Sequence, residues 1–142
     1  MKKIVVFLLV MILFVCFVPV SFAQGNEAER GVPIQIKYVA LTSANANLEI
    51  TGKKATCAAV ARISSTSYSV QLQMTLQQRS ASGWKNLESW STTGTGSRNI
   101  TLTKTRKNLA SGTYRVYVYV AVYDRSGKFI ESTTAYSASK KI

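Results

Sequence analysis

The sequence predicts an all-β protein: an immunoglobulin-like antiparallel β-sandwich of seven or eight strands, with no internal disulfide. Three observations carry this expectation. From Gln24 onward the chain breaks into short alternating runs separated by Gly, Ser, Asn and Asp, the spacing of strands joined by tight turns. No segment sustains the period of a helix. The clearest run, TYRVYVYVAVY at 113–123, sets Val116, Val118, Val120 and Val122 on one parity and Tyr117, Tyr119 and Tyr123 on the other. A strand there has one aliphatic and one aromatic face.

The chain opens with Lys2 and Lys3, continues through IVVFLLVMILFVCFVPV, and reaches Ser21 and Ala23 before a polar stretch. Positive residues, an apolar run, then small residues at the −3 and −1 positions make residues 1–23 a secretory signal peptide cleaved after Ala23. Two other readings compete. The run approaches the length of a membrane-spanning helix. Cys16 could be acylated, although Val15 stands where lipoprotein signals carry a small residue. Cleavage leaves a flexible N-terminal arm at 24–35 and one β-sandwich domain at 36–142, enough chain for a single core. Only Cys57 then remains, so the domain stands without a disulfide. Its place between Ala55 and Ala59 on one parity suits a small buried hydrophobe; a reactive or intermolecular thiol is the sharper alternative.

Strands are expected at about Ile36–Leu41, Asn47–Thr51, Lys54–Arg62, Ser69–Gln78, Trp84–Thr92, Asn99–Thr105, Thr113–Tyr123 and Lys128–Ala135. Thr51–Lys54 and Ser80–Gly83 close hairpins around a glycine. Asp124-Arg125-Ser126-Gly127 reads as a type I turn with Gly127 left-handed, which pairs Asp124 with Lys128 and sets Val122 against Ile130 and Tyr123 against Phe129. Parity assigns Val70, Leu72, Met74 and Leu76 to the core, with the four valines of 116–122, Ile100, Leu102, Leu48, Ile50, Ala55, Cys57 and Ala59. Around Trp84, Leu87 and Trp90 the alternation breaks at Lys85–Asn86, the mark of a bulge or of a strand changing sheets.

The segment LASGTY at 109–114 places Tyr114 at the start of the long strand, just after Gly112. That arrangement is similar to the tyrosine corner of immunoglobulin-like sandwiches, whose hydroxyl bonds back to the preceding loop. Taken together, ANLEITGKKATCAA, VQLQMTLQQRSASGWKNLESWS and LASGTYRVYVYVAVY resemble a family of small secreted Gram-positive bacterial β-sandwich proteins known only as a domain of unknown function. The resemblance covers roughly Val39–Tyr136 and implies secretion and a sandwich fold. It brings no activity and no catalytic residues with it.

Composition narrows the chemistry. The chain has no histidine, and Asp124 is its one aspartate, so serine–histidine and cysteine–histidine hydrolysis and histidine-ligated zinc are excluded. Ser82-Gly83-Trp84-Lys85 matches S-x-x-K, but penicillin-recognising enzymes need that serine at a helix start and a later K-T-G, whereas Lys104-Thr105 is followed by Arg106. Glu88, Asp124 and Glu131 show no spacing that pairs two carboxylates for glycoside hydrolysis. The expected protein is not an enzyme and takes no cofactor or metal. The formal charge is +12, or +10 once Lys2 and Lys3 leave with the signal, and it is spread along the chain. Such a field draws a protein to polyanions, although charge of this kind also simply maintains solubility.

The strongest surface feature is the aromatic row. Tyr117, Tyr119, Tyr123 and Phe129, flanked by Arg115 and Arg125, form a candidate binding face that could stack on sugars or bases while cations hold an anion. Sheet construction comes first as an explanation, because tyrosine and β-branched residues suit strands and pair well across them. The functional expectation is non-catalytic binding of an anionic cell-envelope polymer or glycan by a secreted protein, held at the cell wall by charge. Specific nucleic-acid binding is not expected, nor a transmembrane segment after cleavage. The alternative is a membrane-active toxin or bacteriocin-like protein.

Overall fold

The computed structural model describes residues 38–142. The signal, the arm and the start of the first expected strand lie outside the described residues. Eight strands follow one another: β1 (Leu41–Thr51), β2 (Lys54–Ile63), β3 (Ser69–Ser80), β4 (Gly83–Thr95), β5 (Asn99–Arg106), β6 (Thr113–Tyr123), β7 (Phe129–Tyr136) and β8 (Lys140–Lys141). They form two antiparallel sheets, β1-β2-β5 and β4-β3-β6-β7, with β8 also pairing to β6. The order is that of an immunoglobulin-like sandwich in which the fourth strand has joined the sheet of the third and sixth. Among the described residues no helix is long and apolar enough to cross a membrane.

Alternation builds the core. Val70, Leu72, Met74 and Leu76 on β3 and Val116, Val118, Val120 and Val122 on β6 are all fully buried. Removing each from water is worth about 1.5–3 kcal/mol. Their counterparts on β2 are small: Ala55, Cys57, Ala59 and Ala61 have no exposed surface. The larger side chains of the opposite sheet therefore fill most of the space between the layers. Gly94 lets β4 approach β5, since a Cβ there would collide with a γ-carbon of Ile100. Burial, aided by the nearby Glu88 charge, pushes the Cys57 thiol up to about 11. Cys57 is thus the buried hydrophobe that the parity predicts.

Two local devices match expectation in detail. Tyr114 is 1% exposed and donates its hydroxyl to the Ala110 carbonyl at 2.6 Å, a tyrosine corner. At the β6–β7 turn the Asp124 carboxylate accepts from the Ser126 hydroxyl (2.6 Å), the Ser126 N–H (2.8 Å) and the Lys128 N–H (3.0 Å), and Gly127 takes φ of 82°. The Ser126 hydroxyl is the main reason that the Asp124 carboxyl lies below its ordinary range. Ser82 sits in the β3–β4 hairpin turn rather than at a helix start, which leaves S-x-x-K as turn chemistry.

Three expectations need correction. Residues 38–40 of the strand expected at Ile36–Leu41 are not strand, and the one expected at Asn47–Thr51 begins earlier: β1 runs unbroken from Leu41 to Thr51, through Ala44 and Ala46 opposite Ala61 and Ala59. Val122 does not face Ile130. A register shift leaves Tyr123 opposite Phe129 as expected but sets Val122 against Glu131, so Ile130 is the extra residue of a bulge. The last expected strand, Lys128–Ala135, runs instead from Phe129 to Tyr136.

Glu131 explains what that bulge achieves. Turned inward at the edge strand β7, its carboxylate accepts the backbone N–H groups of Val39 at 3.0 Å, Ala40 at 2.8 Å and Leu41. It closes one side of the sandwich by tying the start of β1 to the opposite sheet. Burial alone would raise this carboxyl, but the three donors outweigh it and hold it below the usual carboxylate range. At the other side Arg106 of β5 reaches Glu88 of β4 at 2.9 Å, again bridging the two sheets.

Candidate functional site

Residues paired across strands share a face, so the register defines the outer surface of the larger sheet. From β4 it receives Trp84, Asn86 and Ser89; from β3, Gln73, Thr75, Gln77 and Arg79; from β6, Arg115, Tyr117 and Tyr119; from β7, Thr134 and Tyr136. Trp84 is there because of a second bulge. Leu76 pairs with Glu88 and Gln77 with Asn86, so Leu87 is an extra residue in β4. Leu87 and Trp90 pack against the core, while Trp84 lies across from Arg79 on the outside.

These residues converge on Arg115. Its guanidinium carbon lies 4.1 Å from the centroid of the Trp84 ring and 4.3 Å from that of Tyr136. Arg79 lies 5.5 Å from the Trp84 ring. Both distances to Arg115 are well inside the range of cation–π attraction. Arg115 Nε donates to Gln77 Oε1 at 2.8 Å, and Gln77 Nε2 donates to Asn86 Oδ1 at 2.8 Å, so the guanidinium is oriented as well as stacked. Tyr136 in turn meets Tyr117, ring centroids 5.3 Å apart.

The expected row does not form one continuous site. Arg115 and Tyr117 belong to the cluster just described. Tyr123 and Phe129 form a separate T-shaped pair with centroids 5.9 Å apart, and Arg125 reaches Ser67 in the neighbouring loop at 3.4 Å. Six residues of strand, about 20 Å, separate Tyr117 from Tyr123. Between them Ala121 is 1% exposed. Tyr119 sits between Gln73 and Thr134 and is half-buried, as are Tyr117 and Tyr123. Phe129 and Tyr136 are about half exposed, at 51% and 53%.

Sequence reasoning missed Trp84, Arg79, Gln77 and Tyr136. Arg79 and Trp84 were within reach, because they face one another across the Ser80–Gly83 hairpin that the sequence marks. Tyr136 was not, because an unbulged ladder would have set Ala135 opposite Tyr117.

Charge is segregated on this surface. The domain beyond residue 37 carries four acidic side chains. Glu88 pairs with Arg106, Asp124 caps its own turn, Glu131 holds the start of β1, and Glu49 lies opposite Thr56 in the smaller sheet. Among the described residues, therefore, no Asp or Glu side chain shares the outer face with Arg79 and Arg115. Lys141 joins them, paired with Thr113 beside Arg115 on β6. Among the described residues no three His, Cys, Asp or Glu side chains cluster to hold a metal. The arrangement is suited to recognising an anion beside a flat apolar surface. Comparison with protein-family models and with curated proteins finds no match to this chain.

Proposed function

We propose that this is a secreted, non-catalytic binding domain that holds an anionic polymer of the cell envelope, with the outer face of the larger sheet as its contact surface. One observation carries the reading: Arg79, Arg115 and Lys141 share a face with stacked aromatic rings while the carboxylates are engaged or placed elsewhere. A surface with unopposed cations attracts polyanions at long range, and exposed rings add a contact that ions screen little. Secretion rests on the order of charge, apolar run and small residues at 1–23.

Fractionation of a producing culture tests this. The protein is expected in the wall fraction at low salt, beginning at Gln24 by intact mass, and released at high salt as screening sets in. Absence from wall material at low salt, together with dye release from anionic vesicles, would replace the proposal with the membrane-active alternative.

A further inference from the structure

Arg115 has its geometry set before any ligand arrives. Gln77 fixes its Nε, Asn86 fixes Gln77, and two aromatic rings pack on the guanidinium. Its two Nη groups form the outer end of a planar fork and have no hydrogen-bond partner among the described residues, where the one ion pair, Arg106 with Glu88, lies elsewhere. A planar fork of this kind matches a carboxylate with two parallel hydrogen bonds, and stacking reduces the freedom that would be lost on pairing. Beside it Tyr136 is 53% exposed and abuts Tyr117, which offers an aromatic surface to the C–H face of a sugar.

Resting on the envelope-binding reading above, we propose that the Arg115 cluster recognises a carboxylate borne on a pyranose ring, a uronic acid unit of an acidic polysaccharide. Such a unit uses the two features together, its carboxylate on the fork and its ring on the aromatic surface. A linear phosphate polymer supplies charge without a ring to cover Tyr136, and a neutral glycan supplies a ring but leaves the fork unpaired. A polypeptide carboxylate lacks the ring as well. Single-stranded nucleic acid offers bases to stack and phosphates that the fork can also pair, so oligo(dT) is the control that separates it from a uronic acid.

The test measures binding of the mature protein to polygalacturonate, fully methyl-esterified polygalacturonate, polyglutamate, poly(glycerol phosphate) and oligo(dT) at about 0.15 M salt, where the screening length is roughly 8 Å. Polygalacturonate is expected to bind tightest. Arg115→Lys keeps the charge and loses the fork, and is expected to weaken that binding about tenfold, roughly 1.4 kcal/mol. Trp84→Leu, which removes a ring that orients the arginine, is expected to weaken it as well, whereas Lys53→Gln stays within about twofold. Thermal melts confirm that each variant is folded. Equal affinity of Arg115→Lys and wild type overturns the proposal, as does polyglutamate, poly(glycerol phosphate) or oligo(dT) matching or exceeding polygalacturonate. Retention on wall material with no binding to polygalacturonate would remove the uronic acid assignment and leave the envelope reading standing.

Discussion

Replacing Glu131 by glutamine removes one negative charge from the seam where β7 meets β1, and the structure sets the expected size of the effect. The carboxylate accepts three backbone N–H groups, from Val39, Ala40 and Leu41. Glutamine keeps one acceptor oxygen, which serves at most two of these donors, and turns an NH2 group toward the third. Hydrogen bonds to a charged acceptor contribute about 1.5–3 kcal/mol and neutral ones about 0.5–1.5. One lost bond and two weakened ones sum to about 3.5–6 kcal/mol on these ranges, which the partial solvent exposure of the seam reduces to about 2–3 kcal/mol at pH 7. For a domain of this size that lowers Tm by roughly 10 °C or more. The pH dependence supplies the sharper check. The folded-state value for Glu131 lies below its ordinary 4.5, so the carboxylate's contribution is complete above the unfolded value and is lost as pH falls through the folded one. Urea unfolding of wild type and Glu131→Gln across acid pH is therefore expected to show a full gap near neutrality that closes in acid. Asp124 is also lowered, but it is common to both proteins and cancels in the difference. A gap that persists unchanged in acid, or one smaller than about 0.5 kcal/mol at pH 7, would refute this account of the seam.

Other changes separate core from surface. Val118→Asp places an unpaired charge between the sheets and is expected to abolish folding, whereas Tyr119→Ser is expected to leave a folded domain weaker by about 1 kcal/mol or less; equal damage in thermal melts would contradict the facing assigned here. Tyr114→Phe removes the bond to Ala110 and the acceptor for Gln78 Nε2 at 3.2 Å, for an expected loss of about 1–2 kcal/mol by chemical denaturation. Cys57, buried and with its thiol raised to about 11, is expected to resist a disulfide reagent in the native protein and to react promptly in denaturant; rapid native labelling would show an open core.

What could be read from the sequence depended on how strongly each segment contrasts its two faces. β3 and β6 alternate large apolar with polar or aromatic residues, so their facing was legible and their turns marked the hairpin partners β4 and β7, whereas the pairing of β3 with β6 joins segments distant in the chain and was not. The Tyr114 corner and the Asp124 turn follow from residues close together in the chain. β1 was not legible as one strand because its inward residues Ala44 and Ala46 face Ala61 and Ala59, so small meets small and the hydrophobic contrast fades. The bulge at Ile130 was hidden for another reason. It is stabilised by the bonds of Glu131 to the backbone of residues 39–41, some ninety positions earlier in the chain, and no local pattern reports them. That one-residue shift also turns Tyr136 outward against Tyr117. The bulge at Leu87 does the same for Trp84. The candidate site was therefore partly visible: the β6 contributions came from parity and Trp84 was within reach of the marked hairpin and the broken alternation at Lys85–Asn86, while Tyr136 came from a register shift that no local pattern reports.

Retention on purified Gram-positive cell-wall material, compared between two charge-matched double variants, separates a defined face from diffuse charge. Arg79→Gln with Arg115→Gln removes two cations from the aromatic face; Lys53→Gln with Lys54→Gln removes two from the β1–β2 turn. At about 0.15 M salt, where interactions beyond roughly 8 Å are largely screened, the first pair is expected to weaken binding by at least about tenfold and the second by about twofold. Equal losses from the two pairs would show that charge acts wherever it sits, and would contradict assignment of binding to the outer face of the larger sheet.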